Sequence, residues 1–217
     1  MRCLIEKDIR LVFTRKSSIF IFLLTGAIFT WSFSVSYSGA YITVLGTILA
    51  ISTISYDDLD NCMAFILTLP CTRKQYVLEK YLFVYGFSSI AGIVGMVIII
   101  TSNLVRGIPV DADIILEILA SEVTIMIVTG GLMIPLQLKF GPEKSRVVFL
   151  VIIGIIFVIG FLLQKIIDLG MLLDSVANTV ENMSITGICI TMVVVLFVIS
   201  IVSFMISTRI MENKEIG

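Results

Sequence analysis

Residues 17–56 read SSIFIFLLTGAIFTWSFSVSYSGAYITVLGTILAISTISY, forty consecutive positions without a charge. At about 1.5 Å of rise per residue a single helix of that length reaches about 60 Å, twice the ~30 Å hydrocarbon core of a bilayer. The stretch therefore holds two membrane passes with a tight return. The small, polar run Ser36-Tyr37-Ser38-Gly39 is where that return is expected. The first pass is about twenty residues long, beyond the usual 7–15 of a cleaved signal segment, and a second follows at once, so it is expected to be retained.

The rest of the chain repeats the pattern. Tyr81–Val105 is uncharged between Lys80 and Arg106. A fourth pass runs from Ala112 to Leu138 and carries Glu117 and Glu122; a fifth runs from Val147 to Gln164 and a sixth from Asn182 to Thr208. Of the 217 residues, 58% are hydrophobic and 14% charged, and the mean hydropathy is +1.11. A soluble domain carries about 45–50% apolar and about 25% charged residues. The fold class is thus all-α, a single polytopic membrane domain over 1–217 with six transmembrane helices. The net charge of −1 gives no footing for a nucleic-acid partner.

Thirteen of the fifteen Lys and Arg fall in the N-terminus, the 57–80 loop, the 139–146 loop and the C-terminal tail. Only Arg106 and Lys165 lie on the other side. The positive-inside rule then places both termini in the cytoplasm; the expected location of this multi-pass chain is the plasma membrane. On this topology Cys3, Cys62 and Cys71 face the reducing side and Cys189 lies in lipid, so all four are expected as thiols.

The chain has no histidine, which removes the commonest acid–base and zinc chemistry, and its cysteines show no ligand spacing. No metal site is expected. Gly141-Pro142-Glu143-Lys144-Ser145 lacks the glycine that a phosphate-binding loop places before its lysine, so the chain is not expected to hydrolyse nucleotides itself.

Four segments carry functional expectations. Residues 1–16 place Ile5, Ile9, Val12 and Phe13 on one helical face and Glu6, Lys7, Arg10 and Thr14 opposite, with Glu6 and Arg10 spaced to pair. This is an amphipathic interfacial helix, read either as a topology anchor or as an elbow that touches a partner. In the 57–80 loop an acidic cluster (Asp57, Asp58, Asp60) precedes Asn61–Leu69, an apolar run too short to cross a bilayer, which Pro70 ends. Thr72 and Gln75 then form a capping box that starts a helix at Arg73. An apolar helix between charged flanks docks either into a cytoplasmic partner or against its own bundle.

In the fourth pass, Glu117 lies one turn from Asp113 on the same face, while Glu122 is deeper and rotated by roughly 140°. A carboxylate at mid-bilayer costs at least ~2.5–3.5 kcal/mol on insertion scales, so each should face the bundle interior or water. They are candidates for a translocation pathway that receives cationic groups, or for a wet outer vestibule or a polar contact between subunits. Within 166–181, Leu169, Leu172, Val176 and Val180 recur at helical spacing, as in a short external amphipathic segment. Ser88, Gly92 and Gly95 offer small residues for close helix packing.

The run Tyr56-Asp57-Asp58…Asn61, followed by Leu69-Pro70-Cys71-Thr72-Arg73-Lys74-Gln75-Tyr76-Val77-Leu78-Glu79-Lys80-Tyr81, resembles the "D[DE]xxN … LPvsRkqiVlsKY" pattern of bacterial ABC-2 type transporter permeases. Within that group the chain looks like the small six-span permeases of antimicrobial-peptide and phenol-soluble-modulin exporters. The resemblance covers essentially the whole chain; Cys71-Thr72 departs mildly from the small or Val-Ser pairs common there. It implies that Asn61–Leu69 is a coupling helix received by a separate ATPase subunit. Asp58, Asn61, Phe65, Leu69 and Arg73 are then the coupling residues. It also implies a second permease copy or paralogue, an amphipathic or antimicrobial peptide cargo, and ATP with magnesium on the partner, with no cofactor on this chain. Two rivals remain: a substrate-capture subunit of an energy-coupling importer, which leaves the apolar cytoplasmic helix without a job, and a membrane enzyme, for which paired catalytic residues are lacking.

Overall fold

The computed structural model describes residues 2–14, 16–32, 35–58, 71–107, 112–166 and 185–214. Among these, all regular structure is helical: α1 (Arg2–Thr14), α2 (Lys16–Ser32), α3 (Val35–Asp58), α4 (Arg73–Arg106), α5 (Ala112–Ile166) and α6 (Ile185–Asn213). Four runs are long and apolar enough to cross a membrane: Ser38–Asp58, Arg73–Arg106, Ile115–Leu162 and Thr191–Asn213. The bent pair α1 and α2 makes a fifth candidate if taken together.

The expected return at 36–39 is not where the chain turns. These residues already belong to α3, which begins at Val35. Gly39 instead serves packing: a β-carbon there would lie 3.1 Å from Ile118 and 3.3 Å from Glu122 Oε1. Likewise, the expected 139–146 loop shrinks to one break inside α5, at Gly141, with φ 75° and ψ 176°. Pro142 has no N–H and disfavours a helical residue before it, and only glycine adopts this conformation readily.

The break reverses the chain. Met133 and Gln137 before it, Phe149 and Leu150 after it, and Ile48 and Ile51 of α3 line one cavity of about 320 Å³. On a straight helix positions 133 and 149 would stand about 24 Å apart. Both halves of α5 therefore run beside α3. The second half is covered by little else: Val147, Leu150, Phe157 and Phe161 are all more than 60% exposed. An apolar surface of this kind needs lipid or another apolar partner around it.

α3 and α4 approach closely through small residues. A β-carbon on Gly46 would fall 2.3 Å from that of Ala91, and one on Gly95 would fall 3.0 Å from Ile42. Ser88 and Gly92 share that face of α4, as the small-residue spacing predicted. Farther along, the Tyr81 hydroxyl sits 2.6 Å from Ser203 Oγ and 2.8 Å from Ser207 Oγ, and Ser203 donates to the Gly131 carbonyl. This chain of hydrogen bonds joins α4, α5 and α6 without a charge.

α1 packs differently from its apolar pattern. Leu4, Asp8 and Val12 form the buried stripe, whereas Ile9 is 42% and Phe13 57% exposed. Of the expected Ile5, Ile9, Val12 and Phe13 face, Val12 is buried but Ile9 and Phe13 are not; the inward face lies one step round, because Asp8 has cations to meet inside. The Glu6–Arg10 pair does form, on the exposed side.

Candidate functional site

The capping box that opens α4 is present in full. Gln75 N–H donates to Thr72 Oγ1 at 3.2 Å and Thr72 N–H donates to Gln75 Oε1 at 3.0 Å. Thr72 is extended (φ −78°, ψ 155°), so Arg73 is the first helical residue, as expected. This places Arg73 beside the end of α6. Its Nη1 donates to the carbonyls of Met211 (2.9 Å), Glu212 (2.7 Å) and Lys214 (3.1 Å). The Met211 and Glu212 carbonyls are among those the helix itself leaves unbonded, Lys214 directly follows the helix, and the guanidinium also meets the negative end of the helix dipole.

Asp58 ends α3 and reaches the same place from the other side. Its Oδ1 accepts from Lys214 Nζ at 3.0 Å. Its Oδ2 lies against the Gly141 break, where a β-carbon would come within 3.0 Å. Two of the five expected coupling residues, Asp58 and Arg73, thus converge on Lys214. The other three, Asn61, Phe65 and Leu69, lie outside the described residues, as does the 166–181 segment beyond Ile166, which ends α5.

Behind this surface is a buried ionic cluster that the sequence reading did not single out as a site. Lys80, fully buried, bridges Asp8 of α1 and Asp57 of α3, the latter at 2.7 Å, with its ammonium 5.3 Å from the Tyr76 ring centre. Asp57 also accepts from Lys7 and, at 3.0 Å, from the Tyr76 hydroxyl. Lys7 stands 3.2 Å from Asp8 as well. Burial pulls the Lys7 pKa down, but Asp57 and then Asp8 more than offset this, leaving it above the ordinary lysine value. Glu79, fully buried, lies 3.9 Å from Lys80, and neither of its oxygens has a hydrogen-bond partner among the described residues.

Removing one member of such a buried pair strands the other and costs about 3–5 kcal/mol. The cluster therefore fixes α1, the end of α3 and the start of α4 as one unit. The available signals were Tyr76 and Lys80 one helical turn apart, and Asp8 between Leu4 and Val12 on a single stripe.

The two membrane carboxylates separate. Glu117 is exposed, whereas Glu122 is 6% exposed at the junction of α3, α4 and α5. Glu122 lines a hollow of about 130 Å³ with Thr43, Ser88, Ser89 and Gly92, and Glu117 is not part of it. At the end of the bundle away from the ionic cluster, Arg106 lies 4.6 Å from the Trp31 ring centre and donates to the Trp31 carbonyl. It joins the ends of α2 and α4 by a cation–π contact and a hydrogen bond.

Comparison with known proteins adds one finding. Residues 3–212 match the family model described as ABC-2 family transporter protein. Neither the curated proteins nor the solved structures include a match.

Proposed function

From the premise that the chain belongs to the ABC-2 family of transporter proteins, we propose that it is the permease subunit of an ATP-driven exporter of amphipathic or antimicrobial peptides. Permeases of this family are multi-pass membrane subunits that work with an ATP-binding cassette subunit and are not themselves catalytic. In the proposed assembly the chain makes six passes in the plasma membrane with both termini inside. It pairs with a second permease copy or a paralogue. ATP and magnesium sit on the partner ATPases, and Asn61–Leu69 is the helix those partners move. Glu117 and Glu122 belong to the pathway.

One observation carries the coupling role. Both flanks of segment 59–70 are clamped to other helices. On one side Asp57 holds α1 and α4 while Asp58 holds the end of α6; on the other Arg73 holds α6 and Lys80 holds α1 and α3. A displacement of the segment is therefore passed to four helices at once, through bonds that are short and partly buried.

The test is gentle-detergent purification from native membranes with mass spectrometry of co-eluting chains. A stoichiometric polypeptide with a nucleotide-binding loop is expected, and its loss on Phe65→Asp with membrane insertion intact. Elution alone, or assembly unchanged by Phe65→Asp, contradicts the coupling assignment.

A further inference from the structure

The hollow around Glu122 is built for a charge that no described residue supplies. Glu122 belongs to no ion pair among the described residues. Its Oε1 has no hydrogen-bond partner there, and neither has Ser88 Oγ, which is fully buried in the same hollow. Two glycines on neighbouring helices clear room for the carboxyl. A β-carbon at Gly92 would lie 2.9 Å from Oε2, and one at Gly39 would lie 3.3 Å from Oε1. An unpaired polar group in a low-dielectric interior is costly, and packing that preserves it points to a partner that comes and goes.

A second hollow adjoins the first. Leu119 and Val123 line both, and the second, of about 230 Å³ between α5 and α6, is completed by apolar side chains such as Leu116, Met192 and Leu196. Carboxylate and hydroxyls lie on one side of Leu119; on the other the lining is hydrocarbon apart from Thr124, whose hydroxyl is spent on the Ala120 carbonyl: this is complementary to a cation on an aliphatic stem. Each hollow alone is smaller than the about 300–1,000 Å³ of drug-sized pockets, and the two together reach only the lower end of that range, which suits one side chain or a short alkyl amine.

We propose that the two hollows form one binding site for a primary ammonium group carried on an aliphatic stem, the ammonium on Glu122 with Ser88 and Thr43, the stem against Leu119, Val123 and the α5–α6 hollow. The proposal rests on the reading of Glu122 as a pathway residue and gives that pathway its substrate chemistry, a lysine-like or N-terminal amine of an amphipathic chain. A primary ammonium has three donors, which matches one carboxylate and two hydroxyls.

The experiment is saturable binding of radiolabelled hexylammonium to the full-length chain in lipid nanodiscs, with hexanol as the uncharged competitor. Hexylammonium is expected to bind saturably and hexanol to compete poorly. Glu122→Gln is expected to abolish saturable binding, and Ser88→Ala to weaken it severalfold. Ser88→Ala removes a hydroxyl that bonds nothing among the described residues, so it keeps the test open should Glu122→Gln fail to fold. Equal competition by hexanol, binding retained in Glu122→Gln, unchanged affinity in Ser88→Ala, or no saturable binding at all overturns the site. Co-purification of the ATPase with the same variants separates the two readings: ATPase retained without ammonium binding removes only this site, whereas no ATPase with the unmodified chain removes the exporter.

Discussion

Lys214 Nζ lies 3.0 Å from Asp58 Oδ1, and the carbonyl of the same lysine accepts from Arg73. One residue at the end of α6 thus holds the last residue of α3 and the first of α4. The two contacts differ in kind. Asp58 and Lys214 are both about a quarter exposed, whereas Arg73 meets two carbonyls that the helix leaves open and that of Lys214 just past its end.

That difference predicts unequal mutants. Lys214→Ala, which keeps the carbonyl, should cost at most about 1 kcal/mol, the usual range for a solvated pair. Arg73→Ala should cost about 1–3 kcal/mol, since charged donors leave several acceptors behind. Thermal unfolding of the full chain followed by helical circular dichroism ranks the two; the reverse order contradicts the cap.

Lys80→Met leaves Asp8 and Asp57 buried with one cation fewer, and should destabilise by about 3–5 kcal/mol. Asp8→Asn combined with Lys80→Met should recover part of that loss, because a neutral amide replaces one stranded carboxylate. A double-mutant cycle in detergent measures the coupling, and strict additivity would mean the cluster is not a unit.

Lys7 has a raised pKa, so its contribution to stability is fully present below the unfolded-chain value and is lost as pH rises through the higher folded-state value. The stability gap between the unmodified chain and Lys7→Met should be flat from about pH 6 to pH 9 and close only in alkali above about pH 10.5. Unfolding midpoints across that range check it; a gap that closes near neutrality contradicts the pairing with Asp57 and Asp8.

Glycine substitutions should split by position. Gly46→Ala drives a methyl to within 2.3 Å of Ala91 Cβ and must part α3 from α4, whereas Gly86→Ala meets nothing within 4 Å. The second should be neutral or stabilise by up to about 1 kcal/mol through helix propensity. Gly141→Ala should cost about 1–3 kcal/mol for its backbone conformation and press on Asp58 besides. Thermal unfolding of the three variants suffices, and equal behaviour of Gly46→Ala and Gly86→Ala would contradict the close approach.

What the sequence determined by itself is what depends on neighbours along the chain. Long uncharged runs make helices that cross a bilayer, Thr72 and Gln75 start α4 at Arg73, and Glu6 pairs with Arg10, because each outcome is settled within a few residues. The family pattern around 56–81 was legible for the same reason. Relations between distant segments were settled by packing alone. Asp8 faces inward despite the apolar side of α1 because Lys80, seventy-two residues away, is buried opposite. Glu117 and Glu122 look alike in sequence, yet only Glu122 meets the space that Gly39 and Gly92 leave. Ser36–Gly39 reads as a turn by composition but lies in the first turns of α3, where Gly39 makes room for Ile118 and Glu122. Local propensity sets the elements, and the cost of burying charge against a low-dielectric interior sets which faces meet.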